Sequence, residues 1–256
     1  MAETLLEVDH LRVTFPVTGG VFLRRVGEVR AVDDVSLEIA PGETLGLVGE
    51  SGCGKSVSAL SIARLVPTPP ARYVGGEILL NGRDVLKMDK AELRSIRGGV
   101  VSYVFQEPSA SLNPVFRVGN QIKESLKLHR PQFATDDEVI RLLKLVGIPA
   151  PESRLRDYPH QMSGGQRQRV MIGMALACRP KLLIADEPTS ALDRETGHQI
   201  MELLATAARA PGRCVVIVTH DPRTYAYADR LTEMEDGRVQ RVHDQAGNID
   251  ENGGDA

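Results

Sequence analysis

The sequence predicts an α/β domain built on a mostly parallel sheet, and three observations carry the prediction. Apolar, β-branched segments alternate with stretches of helical periodicity along most of the chain. Residues 182–185 (Leu-Leu-Ile-Ala) and 214–218 (Cys-Val-Val-Ile-Val) are uninterrupted apolar runs, of the kind a parallel sheet buries on both faces. Thr44-Leu45-Gly46-Leu47-Val48 runs straight into a glycine-rich turn with a helical pattern behind it.

In chain order, residues 5–8 and 11–15 are apolar and β-branched, and Val35-Ser36-Leu37-Glu38-Ile39 alternates with period two, so this region reads as short strands. Thr18-Gly19-Gly20 and Arg24-Arg25 mark an exposed hairpin or loop between them. Residues 56–66 lack Gly and Pro and place Ala59, Leu60, Ala63 and Leu65 at helical spacing. That helix must stop before Pro67-Thr68-Pro69-Pro70. Residues 77–80 and 100–105 read as strands. Residues 136–146 form an amphipathic helix, with Val139, Leu142, Leu143 and Val146 on one face and Gly147 at its end. Residues 166–177 read as another helix. The stretch 243–256 carries four acidic residues, two adjacent glycines and little that is apolar, and is expected to be a disordered tail.

Composition narrows the function. The 256 residues are 42% hydrophobic and 25% charged, which excludes collagen-like, fully disordered and disulfide-stapled classes. Lys and Arg total 31 against 34 acidic residues, a net charge of −3, and aromatics are 4% with no Trp. Neither a basic coat nor a set of base-stacking platforms is present, so no nucleic-acid partner is expected. Cys53, Cys178 and Cys214 are scattered, matching neither a disulfide framework nor paired metal spacing. No secretory pattern opens the sequence and no run of 18 apolar residues occurs, so any membrane role is expected to come through a partner.

Gly49-Glu50-Ser51-Gly52-Cys53-Gly54-Lys55-Ser56 fits G-x-x-x-x-G-K-[ST] with a strand before it and a helix after it. The glycines let the backbone wrap a phosphate chain, so that N–H groups converge at a helix N-terminus. Lys55 would reach the β and γ phosphates, and the Ser56 hydroxyl would ligate Mg²⁺. This is read as a nucleotide site. Cys53 within it is read as a small tolerated side chain rather than a redox group.

Asp186 and Glu187 follow the apolar run 182–185, at the strand end where open parallel sheets bind ligands. Asp186 can hold Mg²⁺, and Glu187, pointing elsewhere, can orient or deprotonate an attacking water. Ser163-Gly164-Gly165-Gln166 opens the helix at 166–177 and offers a second anion-binding helix start, which one nucleotide in one protomer does not need.

With Met162 in front of it, Ser163-Gly164-Gly165-Gln166 resembles the signature of the ATP-binding subunits of ABC transporters. The resemblance spans roughly residues 5–242 with the family's motifs in order. It implies a P-loop NTPase, RecA-like core, a peripheral antiparallel β-subdomain from the N-terminal strands and a helical subdomain at about 107–175. Residues 1–242 would make a single domain. It implies that Gln106 is the Q-loop glutamine that senses Mg²⁺ and the transmembrane partner, that Asp193 in Ser190-Ala191-Leu192-Asp193 belongs to the D-loop, and that His220 contacts the γ-phosphate. Phe15 lies where the family places an aromatic against adenine, with Phe22 as its rival. Two subunits would pack head to tail, identical or paralogous, each ATP held between the phosphate loop of one and the signature of the other.

The family implies an ATPase that works with permease subunits at the cytoplasmic face of the inner membrane. The segments Arg24–Ser36, Gln106–Pro114 and Tyr158–Gly165 look like those of oligopeptide, dipeptide and nickel importers. Residues 220–230 and 234–238 look more like macrolide-export and lipoprotein-release ATPases. Because the segment after Gln106 meets the permease in this family, a peptide-type importer is the expected function and an exporter the alternative. A soluble ATP-driven module and a hydrolytically inactive subunit are the readings from other classes. The lack of insertions disfavours the first, and Glu187 with His220 disfavours the second.

Overall fold

A computed structural model describes residues 4–19, 24–107, 111–190 and 192–245. The chain divides into two compact units. One comprises the residues up to Met88 together with those from Val216 onward, and the other runs from Asp89 to Val215.

In the first unit, β1 (Leu6–Gly19) and β2 (Arg24–Ile39) pair antiparallel, and β1 also pairs antiparallel with β4 (Arg72–Leu80), which carries the short β5 (Arg83–Asp84) on its far edge. The two strands expected at 5–8 and 11–15 are one strand. Its buried residues Leu6, Val8, Leu11 and Val13 break the period of two between Val8 and Leu11, because a bulge there shifts the register and sets His10 at φ 47°. The expected antiparallel N-terminal sheet is present, and Phe22 lies outside the described residues.

β3 (Thr44–Val48), buried throughout, pairs parallel with β9 (Arg230–Glu235), which turns back antiparallel into β10 (Arg238–Asp244). β10 takes in His243 and Asp244, two residues of the stretch expected to be tail. Helix α1 (Lys55–Ser61) is shorter than the expected 56–66. The chain tightens into turns after Ser61, and Arg64 at φ 50° ends the helical path before the prolines do.

In the second unit, β6 (Val101–Val104) and β7 (Leu182–Asp186) pair parallel, with Val101 opposite Leu182 and Val104 opposite Ala185. Helices α2 (Lys90–Ile96), α3 (Val118–His129), α4 (Asp136–Leu145), the single turn α5 (Pro151–Arg154), α6 (Gly164–Ala177) and α7 (Arg194–Ala208) complete it. α3, α4 and α6 pack on one another, and Ile122, Leu126, Leu142, Leu143, Val170 and Ile172 on these helices are buried. β8 (Cys214–Thr219), buried along its length, crosses from this unit into the first. No helix among the described residues is long and apolar enough to cross a membrane.

Candidate functional site

The phosphate-type loop belongs to the first unit. β3 delivers the chain to Gly49, and Gly49, Gly52 and Gly54 all have positive φ, at 139°, 87° and 99°. Two of these glycines are required by close backbone approach as well. A Cβ on Gly54 would stand 2.2 Å from the Ala31 carbonyl oxygen, and one on Gly49 would stand 2.1 Å from that of Met234. The loop is therefore gripped by distant segments: the Gly237 N–H donates to the Cys53 carbonyl at 2.9 Å, and the Asp33 N–H donates to the Gly237 carbonyl at 2.7 Å. The Arg238 guanidinium closes the grip on the Asp33 carboxylate at 2.7 Å and holds that carboxyl below its usual range.

Lys55 is buried, and its Nζ donates to the Gly49 and Glu50 carbonyls at 2.8 and 2.7 Å, curling back over the loop it follows. Cys53 Sγ lies 3.7 Å from that ammonium and is buried. Ser56 is half-buried at the helix start, and Glu50 and Ser51 are exposed on the loop's outer side. Phe15 is half-buried on β1 opposite Val29. His220 follows β8 and is exposed, and the neighbouring Asp221 carboxylate is tied to Arg223 at 2.7 Å.

The cradle makes an unequal prediction for its glycines. Gly52 has open space where a Cβ would go, so Gly52→Ala carries only backbone strain of about 1–3 kcal/mol. Gly54→Ala adds the collision with Ala31. ATP binding measured by nucleotide fluorescence is expected to fall much further for Gly54→Ala than for Gly52→Ala. Equal effects would contradict the grip described above.

The second unit holds the remaining predicted residues in two groups. Asp186 ends β7 half-buried, and Glu187 follows it buried, at φ 46°. For a non-glycine residue that backbone costs of order 1–3 kcal/mol and must be held by its surroundings. Ser190 N–H donates to the Glu187 carbonyl at 3.2 Å, closing a turn over Pro188 and Thr189. Gln106 stands exposed just past β6, and the parallel pairing of β6 with β7 brings Gln106, Asp186 and Glu187 to the same strand ends.

The other group is Ser163–Gln166 with Asp193. Ser163 caps α6 in a reciprocal box: its hydroxyl accepts from the Gln166 N–H at 3.2 Å, and the Gln166 side chain accepts from the Ser163 N–H at 3.0 Å. Because Ser163 is the cap, α6 begins at Gly164 rather than at the expected 166. By helix geometry the Gly164 and Gly165 N–H groups find no partner inside α6. Gly165 permits α7 to approach, since a Cβ there would meet Thr196 Cγ2 at 2.7 Å. Asp193 caps α7 through Thr196, whose backbone and side-chain hydrogen bonds keep the carboxyl below its ordinary range. These residues line an open cavity of about 310 Å³ with Arg169, Leu192 and Gln199.

Sequence reasoning missed the Ala31 and Gly237 contacts on the phosphate loop, and missed Arg169 and Gln168 behind the α6 start. Arg169 donates to the Val146 carbonyl at 2.9 Å and to Gln199 at 2.5 Å, and Gln168 to the Pro188 carbonyl at 3.0 Å. Their signal was present, since Gln166-Arg167-Gln168-Arg169 is an unusually polar way to begin a helix whose later residues are buried.

Among the described residues, no three His, Cys, Asp or Glu gather as a resident metal site. A Mg²⁺ that arrives with a nucleotide, held by a hydroxyl, one carboxylate and phosphate oxygens, needs none. A loop whose three glycines have positive φ, ending in a buried lysine, fits a phosphate chain.

Comparison with known proteins gives a consistent picture. A protein-family model described as "ABC transporter" matches residues 32–190. The oligopeptide transport ATP-binding protein OppD of Bacillus subtilis (strain 168) is 43% identical over 96% of this chain and 67% of its own length. The dipeptide transport ATP-binding protein DppD of Haemophilus influenzae is 48% identical over 92% of this chain and 70% of its own. Among solved structures, a dimeric post-hydrolysis state of the ATP-binding cassette MJ0796 bound to ADP and Pi superposes with a TM-score of 0.81 at 29% identity. That match covers 94% of this chain and 99% of the other.

Proposed function

The chain belongs to the ABC transporter family, and from that premise we propose that it is the ATP-binding and hydrolysing subunit that powers a peptide importer. The single observation that carries the chemistry is the cradle: a glycine loop packed against the Ala31 and Met234 carbonyls too closely for side chains at Gly54 and Gly49, ending in a buried lysine. Relatives named for oligopeptide and dipeptide transport align over more than nine tenths of this chain, including the C-terminal region that resembled exporters. That extent favours import over the macrolide-export or lipoprotein-release reading.

In this proposal Gly49, Glu50, Ser51, Gly52, Cys53 and Gly54 present the loop backbone to the phosphates, and Lys55 supplies positive charge to the β and γ oxygens. Ser56, Asp186 and Gln106 offer hydroxyl, carboxylate and amide oxygens that suit Mg²⁺, which when bound neutralises charge developing on the phosphates. Glu187 accepts a proton from the attacking water, and His220 holds the γ-phosphate. Phe15 stacks on adenine.

Hydrolysis is coupled to motion by a second subunit. Ser163, Gly164, Gly165 and Gln166, with Asp193 beside them, face the nucleotide held by the partner's cradle. ATP at both faces draws two protomers together. Moving such a pair from mostly open to mostly closed takes about 5.5 kcal/mol of differential binding, which two shared nucleotides can supply. Exposed Phe105, Val115 and Phe116, on either side of Gln106, give permease subunits an apolar docking face on the cytoplasmic side of the membrane.

Ser163→Arg tests the shared site. The long cation fills the face where the partner's nucleotide would lie, while the cradle in the same chain is untouched. ATP turnover is expected to fall at least a hundredfold, with ATP affinity of the separated protomer unchanged. Unaltered turnover would remove the head-to-tail dimer from the proposal.

A further inference from the structure

We propose that Gln168 is a positioning residue for Glu187, tying the helix that carries Ser163–Gln166 to the turn that carries the base within one protomer. The inference rests on the reading of Glu187 as the group that acts on water.

Gln168 lies on α6, one turn beyond Gly164, and it is 2% exposed. A glutamine so thoroughly buried keeps its place only when its amide is used. Its Nε2 donates to the Pro188 carbonyl at 3.0 Å. Pro188 is the residue immediately after Glu187, inside the turn closed by the Ser190 N–H. Glu187 itself has a left-handed backbone, φ 46°, which an L residue keeps only where neighbouring contacts fix the peptide planes on either side. Pro188 has no N–H, so its carbonyl is the one backbone hydrogen-bonding group it offers to such a contact.

The bond fixes the Pro188–Thr189 peptide, and because the proline ring locks φ of Pro188 it also restrains the Glu187–Pro188 peptide, and with it the direction in which the carboxylate leaves the backbone. It also gives the α6 start a mechanical route to the base. A displacement of Ser163–Gln166 on meeting the partner's nucleotide passes one helical turn along α6 to Gln168 and from there to Pro188. Gln168 touches neither water nor phosphate in this scheme and acts only through Glu187.

The test compares ATP hydrolysis by the full chain in three variants. Gln168→Met keeps the volume and removes the donor. The expected result is a kcat roughly tenfold lower, part of the 10²–10⁴-fold that a well-placed general base provides, with ATP affinity and KM within twofold of the parent. Gln168→Glu cannot donate when ionised but can when neutral. Its kcat relative to the parent should match that of Gln168→Met at high pH and rise as pH falls, which a role in packing alone would not produce. If Gln168→Met does not fold, the pH profile of Gln168→Glu decides by itself. Glu187→Gln is the third variant. If it is inactive while Gln168→Met keeps its kcat, or if Gln168→Glu shows no recovery at low pH, the positioning role is overturned. If Glu187→Gln turns over normally, the reading of Glu187 falls and the proposal falls with it.

Discussion

Glu187→Gln is expected to lose at least a thousandfold in ATP hydrolysis while its affinity for ATP stays within about twofold of the parent. The substitution replaces one carboxylate oxygen by an NH2 group, so the buried side chain keeps its volume and one acceptor oxygen while the other position becomes a donor. What it loses is basicity. A positioned general base is worth about 10²–10⁴ in rate. Because binding is retained, the closed pair should accumulate: size-exclusion chromatography with Mg·ATP should show a dimer that the parent shows only transiently. A variant that hydrolyses ATP at the parent rate would remove Glu187 from the mechanism.

Lys55→Ala is expected to act on binding rather than on the chemical step alone. Lys55 is buried at the end of the cradle, where its ammonium donates to the Gly49 and Glu50 carbonyls of its own loop and lies 3.7 Å from Cys53 Sγ. A phosphate oxygen competes well for that ammonium, because a hydrogen bond between charged partners is worth about 1.5–3 kcal/mol. Losing it should raise the Kd for ATP roughly 10- to 150-fold. The same truncation frees two loop carbonyls, so a small fall in thermal stability should accompany the loss of affinity. Isothermal titration of ATP into parent and variant measures the first, and unchanged affinity would contradict the assignment of the cradle.

The places of Lys55 and Glu187 in the fold, after β3 and at the end of β7, were legible in the sequence because each sits in a short, contiguous pattern. The run Thr44–Val48, the glycine loop and α1 are consecutive, and so are 182–185, Asp186 and Glu187. The α6 start was legible for the same reason, although the helix begins two residues before the expected 166, at glycines that Ser163 caps.

What escaped was set by contacts far along the chain or by polar residues doing core work. Nothing near Gly54 announces that Ala31 will lie 2.2 Å from its missing Cβ, nor that Gly237 will bond to Cys53. The bulge at His10 breaks the alternation that would have shown β1 as one strand. α3 hides its periodicity because Gln121 occupies a buried position, where its amide serves the backbone of Asn113 and Phe116. α2 is one short stretch held by a capping box between Asp89 and Glu92. α7 shows buried Ile200, Met201, Leu204 and Ala207 at helical spacing, but its interior Gly197 argues locally against a helix.

A cassette held closed by ATP is expected to grip its membrane partners. The direct test is to express tagged Glu187→Gln in its own host, solubilise membranes gently with Mg·ATP present, and identify the proteins that co-purify in stoichiometric amounts. The predicted result is a pair of multi-spanning permeases with a second cassette of the same family, bound with ATP and released without it. A single membrane protein with a large external domain, or soluble partners alone, would contradict the assignment to a peptide importer.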